Sequence, residues 1–125
     1  MREILFKAKT ISGNWVNGLL ANKDDKWYIS NKAGSPFAYE VRPETLCQFT
    51  GRCDKNENKI WENDIIQYGA VAAVVKFGEY GNGNLGFYVD FPEETNYRKD
   101  FSYWAKKVVV IGNAVDDRSL LQEVK

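Results

Sequence analysis

The 125-residue sequence contains no histidine and only two cysteines, Cys47 and Cys53. Histidine is the commonest general base and the usual partner of a nucleophilic serine or cysteine, so its absence removes the most familiar catalytic arrangements. A structural zinc site needs about four nitrogen or sulfur ligands, more than two cysteines supply. We therefore expect a non-enzymatic protein without a cofactor or metal. Its two thiols are expected to stay reduced, unless they face each other across a tight hairpin.

Long apolar runs and excess charge are also missing. No stretch approaches the ~18 consecutive apolar residues of a membrane-spanning helix. Charges at Arg2, Glu3 and Lys7 leave no apolar stretch for a signal peptide. The 17 basic and 17 acidic side chains balance, so no net field draws the chain onto a polyanion. The expected location is the cytoplasm, without membrane contact.

The charges are nevertheless divided unevenly along the chain. Residues 1–60 carry ten basic and seven acidic side chains, and residues 61–125 carry the reverse. Random scatter explains so mild a difference more simply than a partner does. Opposed halves, together with the edge strands of a small sheet, would still favour self-association into a homo-oligomer.

The sequence does contain a series of short apolar runs separated by polar clusters. This pattern favours many brief strands over long helices. Residues 4–6 predict a first strand. Residues 15–20 and 27–29 predict a hairpin around the turn cluster at residues 22–25.

A loop-like stretch at residues 30–40 marks the clearest boundary between subdomains in the chain. It separates an N-terminal β-hairpin subdomain, residues 1–42, from a second β subdomain, residues 43–125, the two forming one compact unit. In the second subdomain, the polar residues 54–58 predict a hairpin loop between two short strands.

The glycine-rich stretch at residues 78–84 gives the strongest hairpin signal, because the strand-prone runs 71–77 and 85–91 flank it. The same glycines would suit a phosphate-binding loop. That motif needs a following helix and a Lys-Ser/Thr step, which the sequence lacks at this point. We therefore expect a turn here.

The C-terminal part of the chain predicts a strand followed by a helix. β-Branched residues end the run 103–111, which we expect as a buried last strand, and Gly112 and Asn113 stop it. Asp116 or Asp117 then caps a short helix that leans on the barrel through apolar side chains at near i, i+4 spacing. These side chains are Leu120, Leu121 and Val124.

An acidic break, Glu62-Asn63-Asp64, separates two apolar, strand-prone runs in the segment KIWENDII (59–66). Asparagine accepts a positive φ more readily than most residues. Asp64 is placed to hydrogen-bond the backbone nearby and hold a bend. We therefore predict a structural strand-to-strand corner, of the kind that small β-barrels require, rather than a catalytic pair of acids.

Three stretches together resemble the YopX family of phage and prophage proteins: VRPETLCQFTG (41–51), DKN (54–56) with KIWENDII (59–66), and VIGN (110–113) before Leu120 and Leu121. The usual family pattern reads Pro-Glu-Thr-Val-Gly-Gln-Phe/Tyr-Thr-Gly, Asp-Lys-Asn-Gly, Ile-Phe/Tyr-Glu-Gly-Asp-Ile/Val and a late Ile-Gly-Asn. The resemblance spans almost the whole chain. It implies a mainly β protein with an SH3-like barrel in the C-terminal part, and it implies no activity.

Three positions depart from the family pattern, because Cys47, Asn58 and Asn63 stand where glycine is usual. Asparagine is the tolerated substitute for glycine where φ is positive, so we expect positive φ at Asn58 and Asn63. Cys47 leaves the backbone geometry of its own position open.

The leading functional hypothesis is a phage or prophage accessory protein that binds a protein partner. Aromatic residues make up 14% of the chain, more than a small barrel hides, and surplus exposed rings often mark interfaces. The alternative is that Phe101 and Trp104 fill the core. The candidate interaction patch combines rings with cations and consists of Tyr97, Arg98, Phe101, Trp104 and Lys106, with Lys99, Tyr103 and Lys107 nearby.

A second class of function is the binding of single-stranded nucleic acid. Small barrels bind such strands through aromatic side chains for base stacking and a basic groove for phosphates. The cations of the candidate patch lie beside aromatic residues, which fits this class. Acidic neighbours oppose it, namely Glu93, Glu94 and Asp100.

A metal-dependent enzyme is the third class. Hard divalent cations are held by carboxylate oxygens. Such carboxylates more often serve turns and helix caps. The candidates that would have to gather around one ion are Glu62, Asp64, Asp90 and Asp116.

Overall fold

The computed structural model describes residues 5–30, 38–81 and 83–117. This part of the chain is mainly β, as the sequence predicts, and includes a single α-helix, α1 (Phe101–Trp104). The strands are β1 (Phe6–Lys9), β2 (Trp15–Lys23), β3 (Lys26–Ser30), β4 (Ala38–Val41), β5 (Cys47–Cys53), β6 (Lys59–Trp61), β7 (Asp64–Tyr68), β8 (Val71–Tyr80), β9 (Asn84–Val89) and β10 (Val109–Asn113).

The chain divides into two compact units, Met1–Gly51 and Arg52–Lys125, and the division falls inside β5. The sequence placed the boundary at residues 42 and 43, after the loop-like stretch. Pairing explains the later position, because the first residues of β5 lie beside β1, with Phe6 opposite Gln48. A strand belongs to the sheet that satisfies its backbone hydrogen bonds, whatever the composition of the loop before it.

The first unit is built on an antiparallel sheet with the strand order β4-β3-β2-β1-β5. The predicted hairpin is confirmed, since β2 pairs with β3 from Leu19 opposite Ser30 to Lys23 opposite Lys26. Two turn residues between these strands adopt positive φ, Asp24 at 54° and Asp25 at 65°. The sheet buries one face over the cluster of Ala8, Ile29 and Val41.

The second unit is built on an antiparallel sheet with the strand order β10-β7-β8-β9. The glycine-rich hairpin is confirmed as β8 and β9, which pair as far as Tyr80 opposite Asn84. Gly78 lies opposite Gly86, and a Cβ on Gly78 would lie 3.9 Å from the ring of Tyr88. The rings of Tyr80 and Tyr88 stack with centroids 5.4 Å apart.

Two sets of buried side chains pack on the sheet of the second unit. The larger cluster includes Ile66, Val75 and Val89 from the strands and the aromatic residues Phe91, Phe101 and Trp104 from outside them. The smaller cluster consists of Ile65, Ala72, Val74 and Ala114. Because apolar residues 65 and 66 alternate between clusters, the centre of β7 is buried on both faces.

The predicted last strand, residues 103–111, is wrong in its first half. Residues 101–104 form α1, and β10 begins only at Val109. The strand runs to Asn113, so the predicted stop at Gly112 and Asn113 is also wrong. Phe101 and Trp104 are both 5% exposed and are three positions apart, so one turn of helix buries both rings on the same side, which an extended chain cannot do. Tertiary burial therefore overrides the β-propensity of the aromatic residues.

Over the described ranges, the two sheets are open rather than closed, so the SH3-like barrel stays a prediction. The helix predicted with Leu120, Leu121 and Val124 lies outside the described residues. No helix in the described part of the chain has the length and apolar character needed to cross a bilayer.

Candidate interaction surface of the second unit

The segment between β9 and α1 is fixed along the edge of the second sheet. The backbone N–H of Val89 donates to the carbonyl of Lys99 at 2.9 Å, and Tyr88 and Asp100 form an isolated bridge. The chain reaches this position through a short 3-10 turn, Glu93–Thr95, that ends at Asn96 with φ of 55°. Asparagine tolerates this left-handed conformation. Residues 97–100 are thereby held at defined positions.

Trp104 is the buried centre of an aromatic cluster. Its indole N–H donates to the carbonyl oxygen of Arg98 at 2.7 Å, and its side chain is 5% exposed. Three tyrosine rings surround it at centroid distances of 4.8 Å for Tyr68, 5.4 Å for Tyr97 and 4.9 Å for Tyr103. These tyrosines are 39%, 36% and 40% exposed, respectively. We call Tyr68, Tyr97 and Tyr103 the tyrosine surface.

Two cations enclose the ring of Tyr103. The guanidinium carbon of Arg98 lies 4.4 Å from the ring centroid and the ammonium of Lys107 lies 4.5 Å from it. Both distances are within the range of cation–π attraction. The tyrosine surface therefore presents partly exposed rings together with cationic side chains.

Arg98 is also held by Asp100. Its Nε donates to one carboxylate oxygen at 2.7 Å and its Nη2 to the other at 3.0 Å. The hydrogen bond from Arg98 lowers the pKa of the Asp100 carboxyl, while partial burial opposes this shift, and the net pKa lies below its ordinary value of 3.8. The pair fixes the guanidinium beside Tyr103 and cancels its charge.

The structure brings together part of the predicted patch. Tyr97, Arg98 and Lys106 are at the surface, and Lys106 pairs with Glu57 at 3.6 Å. Phe101 and Trp104 are buried in the core, so they support the surface from beneath and do not form its exposed face. These two rings therefore fill the core, as the alternative interpretation of the sequence predicts.

Sequence reasoning missed Tyr68. This residue ends β7, and the pairing of Val109 with Gln67 brings it next to the start of β10. Tyr68 and Trp104 are neighbours because of this register between β7 and β10. Such a long-range pairing cannot be read from the local sequence. The available signal was an aromatic residue placed just before Gly69, at the exposed end of an apolar strand.

Two depressions flank the tyrosine surface. The first, of about 320 Å³, is lined by Lys55, Gln67, Tyr68, Gly69, Lys107 and Val109. The second, of about 600 Å³, is lined by Tyr80, Gly81, Asn84, Tyr97, Arg98, Lys99, Asp100 and Ser102. Cations contribute to both, and the second also contains a carboxylate.

The acidic break forms a turn between β6 and β7. Asn63 has φ of 72°, and its N–H donates to the carbonyl of Val75 at 2.7 Å. One carboxylate oxygen of Asp64 accepts from the N–H of Trp61 at 2.7 Å, and the other accepts from the side-chain amide of Asn113 at 3.2 Å. Asp64 is 2% exposed, whereas Glu62 is half-buried. The buried carboxylate thus holds the turn against β10.

Asp54 has the same kind of role in the turn before β6. It is fully buried, and one carboxylate oxygen accepts from the N–H groups of Asn56 at 2.8 Å and Asn58 at 2.9 Å. The other oxygen accepts from the N–H of Val110 at 2.9 Å. Burial by itself raises the pKa of Asp54, but the hydrogen bonds from Val110, Asn58 and Asn56 lower it more, so the net pKa lies below 3.8.

The prediction of positive φ at Asn58 is wrong. In this turn Glu57 has φ of 68°, and Asn58 is not among the residues with positive φ. The Asp54 carboxylate explains the shift, because it accepts from the N–H groups of both Asn56 and Asn58. These two bonds fix the flanking residues and leave Glu57 as the position that reverses the chain.

The two cysteines cannot be joined to each other. Cys47 begins β5 and Cys53 ends it, and a strand advances about 3.3 Å per residue. A disulfide needs Cα atoms less than about 7 Å apart. Cys47 has an ordinary strand conformation, which answers the question that its substitution for glycine raised.

The structure does not assemble the four carboxylates considered for a cation. Among the described residues, no three or more acidic or cysteine side chains are grouped as metal ligands. Asp64 serves the turn, and Asp90 forms ion pairs with Lys76 at 3.1 Å and Lys99 at 3.7 Å.

Comparison with known proteins places the chain in a family. A family model described as YopX protein matches residues 7–122, nearly the whole sequence. The chain therefore belongs to the YopX family, as the sequence motifs indicate. A comparison with curated proteins gives no match.

Proposed function

We propose that this YopX protein is a phage or prophage accessory protein that acts without catalysis, in the cytoplasm, by binding a protein partner through the tyrosine surface. The observation that supports the proposal is the arrangement of three partly exposed tyrosines on one buried tryptophan, with Arg98 and Lys107 against Tyr103. Tyrosine and arginine are enriched among residues that dominate binding energy.

The rigidity of the surface strengthens the proposal. Tyr97 follows the turn at Asn96, and the ring of Phe91 lies 5.1 Å from it, edge to face. The indole hydrogen bond to Arg98 fixes Trp104 under the rings. Rings that are already ordered lose little conformational entropy on binding, so more of the contact energy appears as affinity.

The fold also fits this role. We also propose that the second unit is an SH3-like barrel, because such barrels commonly present aromatic side chains to partners. The exposed edges of the described sheets would also allow two copies to pair, which is how we expect a homo-oligomer to form.

The test is quantitative capture of partners from phage-infected cells with the wild-type chain and a Tyr97→Ala/Tyr103→Ala variant. We expect at least one partner to be captured by the wild type and to be reduced by about tenfold or more with the variant, since two such contacts together contribute a few kcal/mol. Tyr39→Ala is the matched control, because Tyr39 is 50% exposed and lies in the first unit. Identical partners and oligomeric state for all three chains would refute the proposal.

A second candidate function is binding of single-stranded nucleic acid. The specific observation in its favour is in the first unit, where the ammonium groups of Lys7 and Lys9 lie 5.0 Å and 5.7 Å from the ring centroid of Trp15. A ring beside cations on a strand surface is the arrangement that stacks bases and neutralises phosphates. Anisotropy titrations with labelled oligothymidylate at low and high salt test it. Salt-dependent binding that Trp15→Ala abolishes would support it, and a flat titration at low salt would refute it.

A further inference from the structure

The first depression beside the tyrosine surface is assembled from three separate parts of the chain. The N–H of Lys55 donates to the carbonyl of Val108 at 3.1 Å, which sets Lys55 next to Lys107. Val109 lies opposite Gln67, so the end of β7 forms the remaining wall. The turn residue Gly69 closes this wall, and the side-chain amide of Gln67 donates to its carbonyl at 3.0 Å. We call this depression the lysine pocket; its lining residues are Lys55, Gln67, Tyr68, Gly69, Lys107 and Val109.

The charge around the tyrosine surface is concentrated in the lysine pocket. Most nearby cations face a carboxylate: Arg98 binds Asp100, Lys99 lies near Asp90 and Glu93, and Lys106 lies near Glu57. Lys55 and Lys107 differ from them, because within the described residues neither has an acidic side chain in ion-pair distance. Two uncompensated positive charges therefore line one pocket of about 320 Å³.

The position of the Lys107 ammonium also favours an anion in the lysine pocket. Its ammonium is held 4.5 Å from the centroid of the Tyr103 ring, and that ring also receives Arg98. Asp100 neutralises Arg98 at this ring, whereas Lys107 has no acidic side chain in ion-pair distance within the described residues. The ring holds the Lys107 ammonium beside the pocket, so an anion in the pocket would meet a positioned positive charge.

A short acidic determinant fits the pocket better than a nucleic acid does. A nucleic acid strand brings a long series of phosphates and is bound by a comparable series of cations. Here only two nearby cations lack an acidic partner within the described residues, because Arg98 and Lys106 are already paired with Asp100 and Glu57. The exposed ring of Tyr68 lines the same pocket and offers contact to an apolar side chain.

We infer that the lysine pocket binds an aspartate or glutamate carboxylate from an acidic segment of the protein partner, while a neighbouring apolar side chain of that segment packs on Tyr68. This inference rests on the proposed function and specifies the chemistry of its partner. Charge-assisted hydrogen bonds from Lys55 and Lys107 to the carboxylate supply the specificity.

The experiment uses the full chain and two short labelled peptides. In one peptide a Glu-Glu pair is flanked by leucines, and in the other the pair is Gln-Gln. We expect the acidic peptide to bind with salt-dependent affinity and to shift the backbone amide NMR signals of Gln67, Gly69 and Val109. The Gln-Gln peptide is expected to bind at least about tenfold more weakly.

Charge variants locate the binding site. We expect Lys55→Gln/Lys107→Gln to weaken binding of the acidic peptide by about tenfold or more. Lys23→Gln/Lys26→Gln removes the same total charge from an exposed turn of the first unit and is expected to leave affinity within about twofold. Both double variants should retain the wild-type thermal midpoint, because all four lysines are exposed residues.

Several results would overturn the inference. They are the absence of acidic-peptide binding, equal binding of the two peptides, or an equal loss of affinity in both charge variants. Oligothymidylate binding that the Lys55→Gln/Lys107→Gln variant abolishes would assign the pocket to nucleic acid instead. If partner capture depends on Tyr97 and Tyr103 but not on the two lysines, the inference fails and the proposed function stands. If capture depends on none of them, both fail.

Discussion

At the scale of single residues, backbone conformation and buried carboxylates organise the second unit. Asn63 turns the chain with φ of 72°, and Asp54 and Asp64 each accept hydrogen bonds from more than one element. These polar residues are buried but satisfied, so they direct the fold without the cost of an unpaired charge. Substitutions at these residues therefore measure what each contributes to the free energy of unfolding.

Replacing Asn63 separates backbone from side-chain effects. We expect Asn63→Ala to lower the free energy of unfolding by about 1 to 2 kcal/mol, because alanine is strained at positive φ. Asn63→Gly should be within about 0.5 kcal/mol of the wild type or slightly more stable. Urea denaturation measures both. Equal destabilisation by the two substitutions would show that the asparagine side chain matters more than the backbone.

Replacing Asp54 tests the buried carboxylate. Asp54→Asn presents an amide donor to backbone N–H groups that already donate, so we expect a loss of about 1.5 to 3 kcal/mol in the free energy of unfolding at neutral pH. The folded pKa of Asp54 is depressed, so its contribution is fully present above the unfolded value of about 3.8 and is lost as pH falls through the lower folded pKa. The difference between variant and wild type should therefore shrink below pH 3.8. A difference that is constant from neutral to strongly acidic pH would contradict this account.

At the scale of elements, α1 shows how burial decides local structure. It has only four residues, yet it places Phe101 and Trp104 in the core and leaves Tyr103 at the surface. So short a helix is not stable by itself. Its stability comes from the packing of its buried rings and from the indole hydrogen bond to the preceding segment.

Trp104→Phe tests whether α1 and the tyrosine surface are coupled. Phenylalanine keeps a ring in the core but leaves the carbonyl of Arg98 without its indole donor, so we expect a loss of about 1 to 3 kcal/mol in the free energy of unfolding. The amide signals of Tyr97 and Tyr103 should shift in NMR spectra while those of β2 and β3 do not. Unchanged Tyr97 and Tyr103 signals would mean that the surface is ordered independently of the indole.

Local elements were predictable where the signal is itself local. The glycine-rich hairpin and the corner at Asn63 follow from turn chemistry within a few residues. The helix α1 was missed because the need to bury two rings is a tertiary effect. The positive φ at Glu57 was assigned to Asn58 instead, although the family motif Asp-Lys-Asn-Gly, aligned on residues 54–56, places its glycine at position 57. Of the tyrosine surface, Tyr97 and Tyr103 were named from the sequence, and Tyr68 was not. The lysine pocket was not, because Lys55, Tyr68 and Lys107 meet only through strand register.

At the scale of the whole molecule, the two units differ in the chemistry of their buried polar groups. The fully or nearly fully buried carboxylates of the described chain, Asp54 and Asp64, both belong to the second unit. Among the described residues of the first unit, the buried polar side chains are those of Thr10, Thr45 and Thr50, which carry hydroxyl groups. Hydroxyl groups do not titrate in acid, so acid should affect the units unequally.

Hydrogen exchange measures this difference. We expect the protection factor of the Val110 amide, which donates to Asp54, to fall as pH drops through the folded pKa of Asp54, which lies below 3.8, since the carboxylate acceptor is protonated there. The amides of Ala8 and Ile29, in the core of the first unit, should keep their protection over the same pH range. A parallel loss in both units would show a single cooperative response to acid.

The crowding of three phenols around one indole also has an optical consequence. The ring centroids of Tyr68, Tyr97 and Tyr103 lie 4.8 to 5.4 Å from that of Trp104. At such distances we expect resonance energy transfer from the excited tyrosines to Trp104. We expect a molecule that binds over these tyrosines to change the tyrosine-sensitised emission of Trp104. Trp104 thus serves as an intrinsic fluorescent reporter beneath the surface where we expect the partner to bind.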